Sequence, residues 1–165
     1  MAPQQKPGKS RQDYSTPPEF LQALKNRLGI PYFDCDLAAS IGNSVAPLMY
    51  TEEDNSLDPA NSWKFGSGWS FCNPPYADIR PWVRKAFEES RKGAHVVMLV
   101  PASVGSNWWS NWVHNMASVW FLNGRLTFVG ETAPYPKDTA VLLYAPHILE
   151  GGYTVWNWRN DITDK

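Results

Sequence analysis

The sequence predicts an α/β fold in which a mostly parallel sheet is flanked by helices. Strand-like and helix-like segments alternate along the chain, which is the order of elements typical of such folds. Residues 94–100 form a nearly continuous apolar run, and residues 139–145 form a second one. Runs of this kind are typical of strands that are buried on both faces of a parallel sheet. The length of 165 residues fits a single domain.

The first element is a helix predicted over residues 17–28. Thr16 can act as its N-cap, and Pro17 fits its first position. Glu19 stands three residues after the cap, as a capping box requires. Gly29 follows the last apolar residue of the pattern and is expected to end the helix.

The remaining elements follow from apolar patterning and from the turn residues that separate the segments. In chain order they are a strand over residues 30–35, a strand over 69–72, a helix over 79–92, a strand over 94–100, a helix over 106–115, and strands over 119–122 and 139–145. Residues 38–68 are rich in Asn, Ser, Pro and Asp and are expected to be irregular. Asp36 and Asn73 directly follow the first two strands, at the edge of the sheet where ligands bind in such folds.

Composition excludes several classes of protein. The net charge of -1 argues against a protein that holds nucleic acid mainly by bulk electrostatics. No apolar run approaches the roughly 20 residues of a membrane span, so no membrane partner is expected. The three histidines are scattered and form no cluster with the cysteines, so no metal site is expected. Nine tryptophans are the anomaly, because large aromatic side chains suit base-stacking surfaces as well as cores.

The chain divides into a short arm and one domain. Residues 1–12 carry Lys6, Lys9 and Arg11 among Pro, Gln and Ser, and this pattern predicts a flexible, weakly basic arm. Residues 13–165 are expected to form the single domain. The two cysteines form no disulfide framework, which indicates a reduced, cytosolic protein.

The segment that carries chemistry is Asn73-Pro74-Pro75-Tyr76, between a predicted strand and a predicted helix. The Asn side-chain oxygen and the adjacent backbone carbonyl can accept both hydrogens of a planar amino group. Holding both hydrogens turns the nitrogen lone pair towards an electrophile and stabilises the positive charge that develops on nitrogen. Two prolines stiffen the loop, and the Tyr ring offers a stacking face. The alternative is a rigid turn without catalytic function. It is the weaker interpretation, because the motif lies between a predicted strand and a predicted helix.

The motif resembles the catalytic loop of S-adenosylmethionine-dependent amino-methyltransferases. The wider pattern is similar to that of the small phage and prophage DNA N6-adenine methyltransferases, between Tyr14 and Ala145. Besides the loop, it consists of Tyr14-Ser15-Thr16-Pro17, Phe33-Asp34-Cys35-Asp36-Leu37-Ala38-Ala39, Tyr50-Thr51, Asp54-Asn55-Ser56-Leu57, Trp63, Gly124-Arg125-Leu126-Thr127-Phe128 and Asp138. This resemblance implies an abbreviated Rossmann-like class I methyltransferase fold, without a separate target-recognition domain.

The resemblance also implies a reaction. Asn73 and the Pro74 carbonyl would bind the amino group of an adenine flipped out of the duplex, and Tyr76 would stack on the base. The N6 nitrogen would then attack the methyl carbon of S-adenosylmethionine in one in-line step, with the sulfur leaving as a thioether, and flipping the base would cost a few kcal/mol. The partners would be DNA and the small-molecule methyl donor, with no metal, in the cytoplasm of a bacterial host. The sequence defines no oligomeric state.

Four further residues are implied as contacts of the cofactor. Thr16 and Pro17 would contact its methionine carboxylate, Asp36 its amine or ribose, and Asp54 its adenine amino group. Thr16 is equally explained as a helix cap, Asp36 can cap a turn, and Asp54 lies in a polar run that is often only solvated. Where many such enzymes carry a glycine-rich loop, residues 37–42 contain one glycine, which leaves the cofactor loop unassigned.

Candidate contacts to DNA are Trp108, Trp109 and Arg125. A segment that mixes Trp with Ser and Asn can stack on bases and read their edges, and an Arg in a turn suits a phosphate. The alternative for the tryptophans is that Trp108 and Trp112, four residues apart, form the buried face of a helix.

Two other functions remain open from the sequence. One is an amino-methyltransferase that acts on RNA or on a protein glutamine. The other is a non-catalytic protein that binds single-stranded nucleic acid through its aromatic surface.

Overall fold

The computed structural model describes residues 14–40, 42–147 and 152–163, and the predicted basic arm over residues 1–12 lies outside them. Within these residues the chain forms one seven-stranded sheet with helices on both of its faces. The strands are β1 Cys35–Asp36, β2 Leu48–Met49, β3 Trp69–Cys72, β4 His95–Pro101, β5 Ser118–Leu122, β6 Thr139–Tyr144 and β7 Tyr153–Trp156. The helices are α1 Pro18–Leu28, α2 Arg80–Arg91 and α3 Asn107–Trp112, and a 3-10 turn covers Trp158–Asp161.

The sheet is mixed, with strand order β2-β1-β3-β4-β6-β5-β7. Four of its six pairings are parallel, and the two antiparallel pairings both involve β6. The α/β class is therefore confirmed, and a single strand departs from the common direction. The sequence could not reveal this, because an apolar strand buried on both faces looks the same in either direction.

The central strand β4 separates two hydrophobic cores. Val97 and Leu99 point towards α1 and the 3-10 turn, whereas Val96, Met98 and Val100 point towards α2 and α3. All five side chains are fully buried, and each such burial stabilises the fold by about 1.5–3 kcal/mol. The alternation of one strand between two helical layers gives the three-layer architecture.

Two predicted boundaries were wrong at the start of the chain. The expected strand over residues 30–35 is reduced to β1, because the Ile30 N–H is used to close helix α1 by donating to the Lys25 carbonyl (3.0 Å). Pro31 then has no N–H to offer a sheet. Helix α1 begins one residue later than predicted, and Pro17, not Thr16, is the residue before it. Thr16 is therefore not the N-cap, and its hydroxyl group is free for another partner.

Three other elements differ from the prediction. Strands β2 and β7 were not predicted, and α3 is shorter than the helix expected over residues 106–115. Both unpredicted strands are short edge strands whose side chains are exposed except for Trp156, so they lack the apolar run that marks a central strand.

The strands that run in the common direction end at one edge of the sheet, called here the carboxyl edge. Asp36 pairs with Phe71 in the sheet, so the residues that follow β1 and β3 emerge side by side. This places Asp36 and Asn73 at neighbouring positions of the carboxyl edge, as the sequence predicted.

Candidate active site

A cleft of about 620 Å³ opens at the carboxyl edge. Its walls come from residues 14–16, from residues 36–40 with Asn43 and Val45 after β1, and from residues 50–53 with Asn55 and Ser56 after β2. Phe71 of β3, Asn73 and Pro75 after it, and Trp82 of α2 complete the lining. The sequence-predicted residues Thr16, Asp36 and Asn73 thus meet in one cavity.

The nitrogen of the Asn73 side-chain amide has hydrogen-bond partners, whereas its oxygen has none among the described residues. Its Nδ2 donates to the Tyr14 carbonyl (2.7 Å) and to the Thr16 hydroxyl oxygen (3.0 Å). Its Oδ1 is buried and has no hydrogen-bond partner among the described residues. A buried acceptor without a partner costs free energy, so this oxygen is suited to receive a donor from a bound molecule. The Tyr14 carbonyl can only accept, so it fixes which end of the amide is the nitrogen.

The prolines after Asn73 support this placement. Pro74 is buried and Pro75 lies half-buried in the wall of the cleft. Their fixed φ angles reduce the freedom of the loop, so the position of the acceptor does not depend on ligand binding. Residues 73–76 are called the acceptor loop below.

Tyr76 belongs to an aromatic cluster beside the cleft. Its ring lies 5.4 Å from that of Tyr14 and 5.8 Å from that of Tyr135, and its hydroxyl donates to the Leu99 carbonyl (3.3 Å). Burial raises the pKa of the Tyr76 phenol well above its ordinary value, so the group stays protonated. Tyr76 is not among the described residues that line the cleft, although its neighbour Pro75 is.

Asp36 is a buried carboxylate in the floor of the cleft. Its oxygens accept hydrogen bonds from the backbone N–H groups of Ala38 (3.2 Å) and Val45 (3.1 Å). Burial raises its pKa, and these two hydrogen bonds oppose the rise. The bond from Ala38 is the turn cap that the sequence offered as an alternative, so Asp36 both shapes the turn and lines the cleft.

Asp54 is placed differently from Asp36. It is exposed, and its Oδ2 accepts hydrogen bonds from the backbone N–H (2.8 Å) and the hydroxyl (3.0 Å) of Thr51, which lower its pKa. The described lining of the cleft contains Glu52 and Glu53 but not Asp54. The acidic run was visible in the sequence, but only the turn decides which of its side chains enter the cavity.

Lys85 anchors the loop that carries these acidic residues, and the sequence reasoning missed it. Its Nζ donates to the carbonyl groups of Ser56 (2.8 Å), Asp58 (2.8 Å) and Asn61 (2.6 Å). The side chain is almost fully buried, and burial lowers its pKa. No signal in the sequence distinguishes Lys85 from the other basic residues of α2, because its partners lie more than 20 residues away along the chain.

The proposed DNA contacts are divided between core and surface. Trp109 is buried, stacks on Phe121 with ring centres 6.1 Å apart, and belongs to the core between α3 and the sheet. Trp108 is half-buried against Trp109. Arg125 is exposed, and its Nε donates to Asp138 at 3.2 Å. Trp109 could meet a base only by leaving the core, whereas Trp108 and Arg125 are accessible.

Neither a metal-ligand cluster nor a candidate membrane-spanning helix occurs in residues 14–40, 42–147 and 152–163. These residues contain no group of three His, Cys, Asp or Glu side chains that could hold a metal ion. None of their helices has the length and apolar character needed to cross a membrane. Both cysteines are buried and unpaired.

Comparisons with known proteins all identify similarity to DNA N-6-adenine-methyltransferases. The sequence profile of the DNA N-6-adenine-methyltransferase (Dam) family matches residues 4–141. A DNA N-6-adenine-methyltransferase of Escherichia phage T1 is 31% identical over 121 residues, which is 73% of this chain and 49% of the phage protein. One of Haemophilus phage HP1 (strain HP1c1) is 28% identical over 121 residues, 69% of this chain and 68% of that protein. The chain therefore spans about half the length of the T1 relative.

Proposed function

Because the chain belongs to the DNA N-6-adenine-methyltransferase (Dam) family, we propose that it methylates the N6 amino group of adenine in DNA. The relatives named for this activity support the proposal, and the cleft at the carboxyl edge supplies a site for it. DNA and a small-molecule methyl donor are then its partners. The proposed place of action is the cytoplasm of the host cell.

The observation that carries the proposal is the buried Oδ1 atom of Asn73, which has no hydrogen-bond partner among the described residues. The adenine amino group donates two hydrogens, and its lone pair is delocalised into the ring. Asn73 Oδ1 accepts one hydrogen, and the Pro74 carbonyl is proposed to accept the other. Both acceptors then favour the positive charge that develops on nitrogen as it is alkylated. Because Thr16 and Tyr14 hold the other end of the amide, this stabilisation is in place before the base arrives.

The donor set of the cleft fits S-adenosylmethionine. The cofactor, when bound, supplies a methyl group on a positively charged sulfonium. Asp36 contributes a buried carboxylate, and Glu52 and Glu53 contribute two more to the lining, so the cavity favours a cationic ligand with hydroxyl and amino groups. Thr16 and Pro17 are proposed at the carboxylate end of the cofactor. Asp54 is proposed, from the family pattern, to bind the adenine of the cofactor. It also stabilises the turn between Thr51 and Asp54 by accepting two hydrogen bonds from Thr51.

The adenine is proposed to reach the acceptor loop by leaving the duplex. The Tyr76 ring is proposed to provide its stacking face from its partly exposed part, and its contacts with the rings of Tyr14 and Tyr135 hold it in place. The exposed Arg125 and the accessible part of Trp108 are proposed to contact the DNA around the flipped base. An acceptor loop of this kind also suits amino groups of RNA or of protein glutamine, so product analysis decides the substrate.

The test compares Asn73→Ala with a matched control. We expect Asn73→Ala to lower methyl transfer to DNA at least about 100-fold, because one of two acceptors for the reacting amino group is lost. Calorimetry should show that S-adenosylmethionine still binds. The control, Gln22→Ala, removes an exposed amide from α1 and should retain activity. Undiminished transfer by Asn73→Ala would contradict the assignment.

A further inference from the structure

Arg159 lies against the turn that follows β5. Its guanidinium group is stacked over the Trp158 ring at 4.5 Å, and its Nη2 donates to the Arg125 carbonyl (3.2 Å). The indole of Trp158 donates to the Gly124 carbonyl (2.8 Å) and fixes the same turn. Gly124 has a φ of 114°, and a Cβ at this position would collide with Arg159 Nη1. Because other residues rarely adopt this φ, glycine is favoured here, and Arg159 is held by its contacts with Trp158 and the Arg125 carbonyl.

Arg125 lies in this turn and Arg159 contacts its backbone, while Asp138 is the carboxylate that pairs with Arg125. Arg125 pairs with Asp138, but both side chains are at least half exposed, so the pair contributes at most about 1 kcal/mol. Across the residues described, no carboxylate forms an ion pair with Arg159, whose side chain is exposed. The excess positive charge favours an anion, and planar guanidinium groups bind phosphate oxygens in a bidentate manner.

The turn is joined to the candidate active site through residues 123–138, the loop between β5 and β6. Within this loop the Tyr135 N–H donates to the Leu126 carbonyl (2.7 Å), and the Tyr135 ring contacts Tyr76 of the acceptor loop. The Val129 N–H donates to the Ser15 carbonyl (3.0 Å) in the wall of the cleft. The loop that carries the turn therefore contacts both the acceptor loop and the wall of the cleft.

We propose that Arg125 and Arg159 together bind the phosphate backbone of DNA and position the duplex beside the acceptor loop. The inference rests on the proposed function for its choice of partner. Trp158 and Arg159 lie beyond residues 4–141, so the family profile does not include the second half of this site. Such contacts position the duplex and carry no sequence information.

The experiment measures binding of a fluorescent DNA duplex by anisotropy at a series of salt concentrations. Each phosphate contact contributes about 0.9 to the slope of log K against log salt concentration. Arg159→Gln and Arg125→Gln should each reduce the slope by about this amount, and the double variant by about twice as much. The control Lys25→Gln, in the last turn of α1, removes the same charge and should leave the slope unchanged.

Arg159→Lys keeps the charge but loses the planar fork, so it should retain most of the slope with weaker binding. This variant separates loss of the phosphate contact from damage to the turn. A slope for Arg159→Gln equal to that of Lys25→Gln would overturn the proposal. Methyl transfer by the wild-type chain is measured in parallel. Reduced slopes without any methylation would refute the proposed function alone, and methylation with unchanged slopes would refute this site alone.

Discussion

Thr16 provides the sharpest test of how the candidate site is built. Its buried hydroxyl accepts one of the two hydrogen bonds that hold the Asn73 amide. Thr16→Val preserves the shape of the side chain and removes that acceptor, so one of the two Nδ2 hydrogens of Asn73 loses its partner and only the bond to the Tyr14 carbonyl remains. Leaving a buried donor unsatisfied costs about 1–3 kcal/mol.

This cost appears either in stability or in catalysis. If the amide keeps its orientation, the free energy of unfolding falls by about 1–3 kcal/mol. If the amide rotates to find another partner, Oδ1 no longer faces the reacting amino group. An orientation penalty of about 1–2 kcal/mol then corresponds to a decrease in kcat of roughly 5- to 30-fold. Thr16→Ser restores the hydroxyl and should recover most of the lost activity.

The assay separates positioning from cofactor binding. Initial rates at saturating DNA and S-adenosylmethionine give kcat, rates at limiting cofactor give its KM, and urea unfolding gives stability. A positioning role lowers kcat with little change in KM. If Thr16→Val raises only the KM of the cofactor while kcat and stability are unchanged, Thr16 acts as a cofactor contact and the positioning argument is refuted.

Two further predictions concern Trp109, which the structure places in the core, and Asp36, which lines the cleft. Trp109→Ala should lower the free energy of unfolding by about 3–5 kcal/mol, because the indole is buried against Phe121; a stable variant with weakened DNA binding would contradict this. Protonation of Asp36 removes a negative charge from the cleft, so affinity for S-adenosylmethionine should fall as pH decreases through the raised pKa of this group. Calorimetry from neutral to acidic pH checks it, and Asp36→Asn should bind weakly without that pH dependence.

The juxtaposition of Asp36 and Asn73 could be predicted from the sequence for a physical reason. Parallel strands end at one edge of their sheet, so polar residues that follow neighbouring strands must meet there. The prediction required only that the two strands be adjacent, and the pairing of Asp36 with Phe71 confirms that they are.

Local sequence patterns could not predict that Thr16 holds the Asn73 amide. Ser or Thr before a Pro and an apolar stripe is the ordinary signature of a helix cap. The partner of its hydroxyl, Asn73, lies 57 residues away and is brought near only by the fold. Capping rules consider only residues near the helix end, so they cannot predict a contact with a residue this distant in the sequence.

The burial of Trp109 shows a different limit. In the sequence, Trp108 and Trp112 are four residues apart, but so are Trp109 and Val113. A helix of six residues completes fewer than two turns, so its pattern does not decide which pair faces inwards. Contact with Phe121 of β5 decides it in favour of Trp109.

The activity proposed for this chain is the transfer of a methyl group to the N6 position of adenine in DNA. The most direct measurement incubates the protein with S-adenosylmethionine carrying a labelled methyl group and with unmethylated DNA, then digests the DNA to nucleosides. The label should be recovered in N6-methyl-2′-deoxyadenosine, and Asn73→Ala should give almost none. Label on cytosine, on RNA or on protein with none on adenine of DNA would contradict the claim.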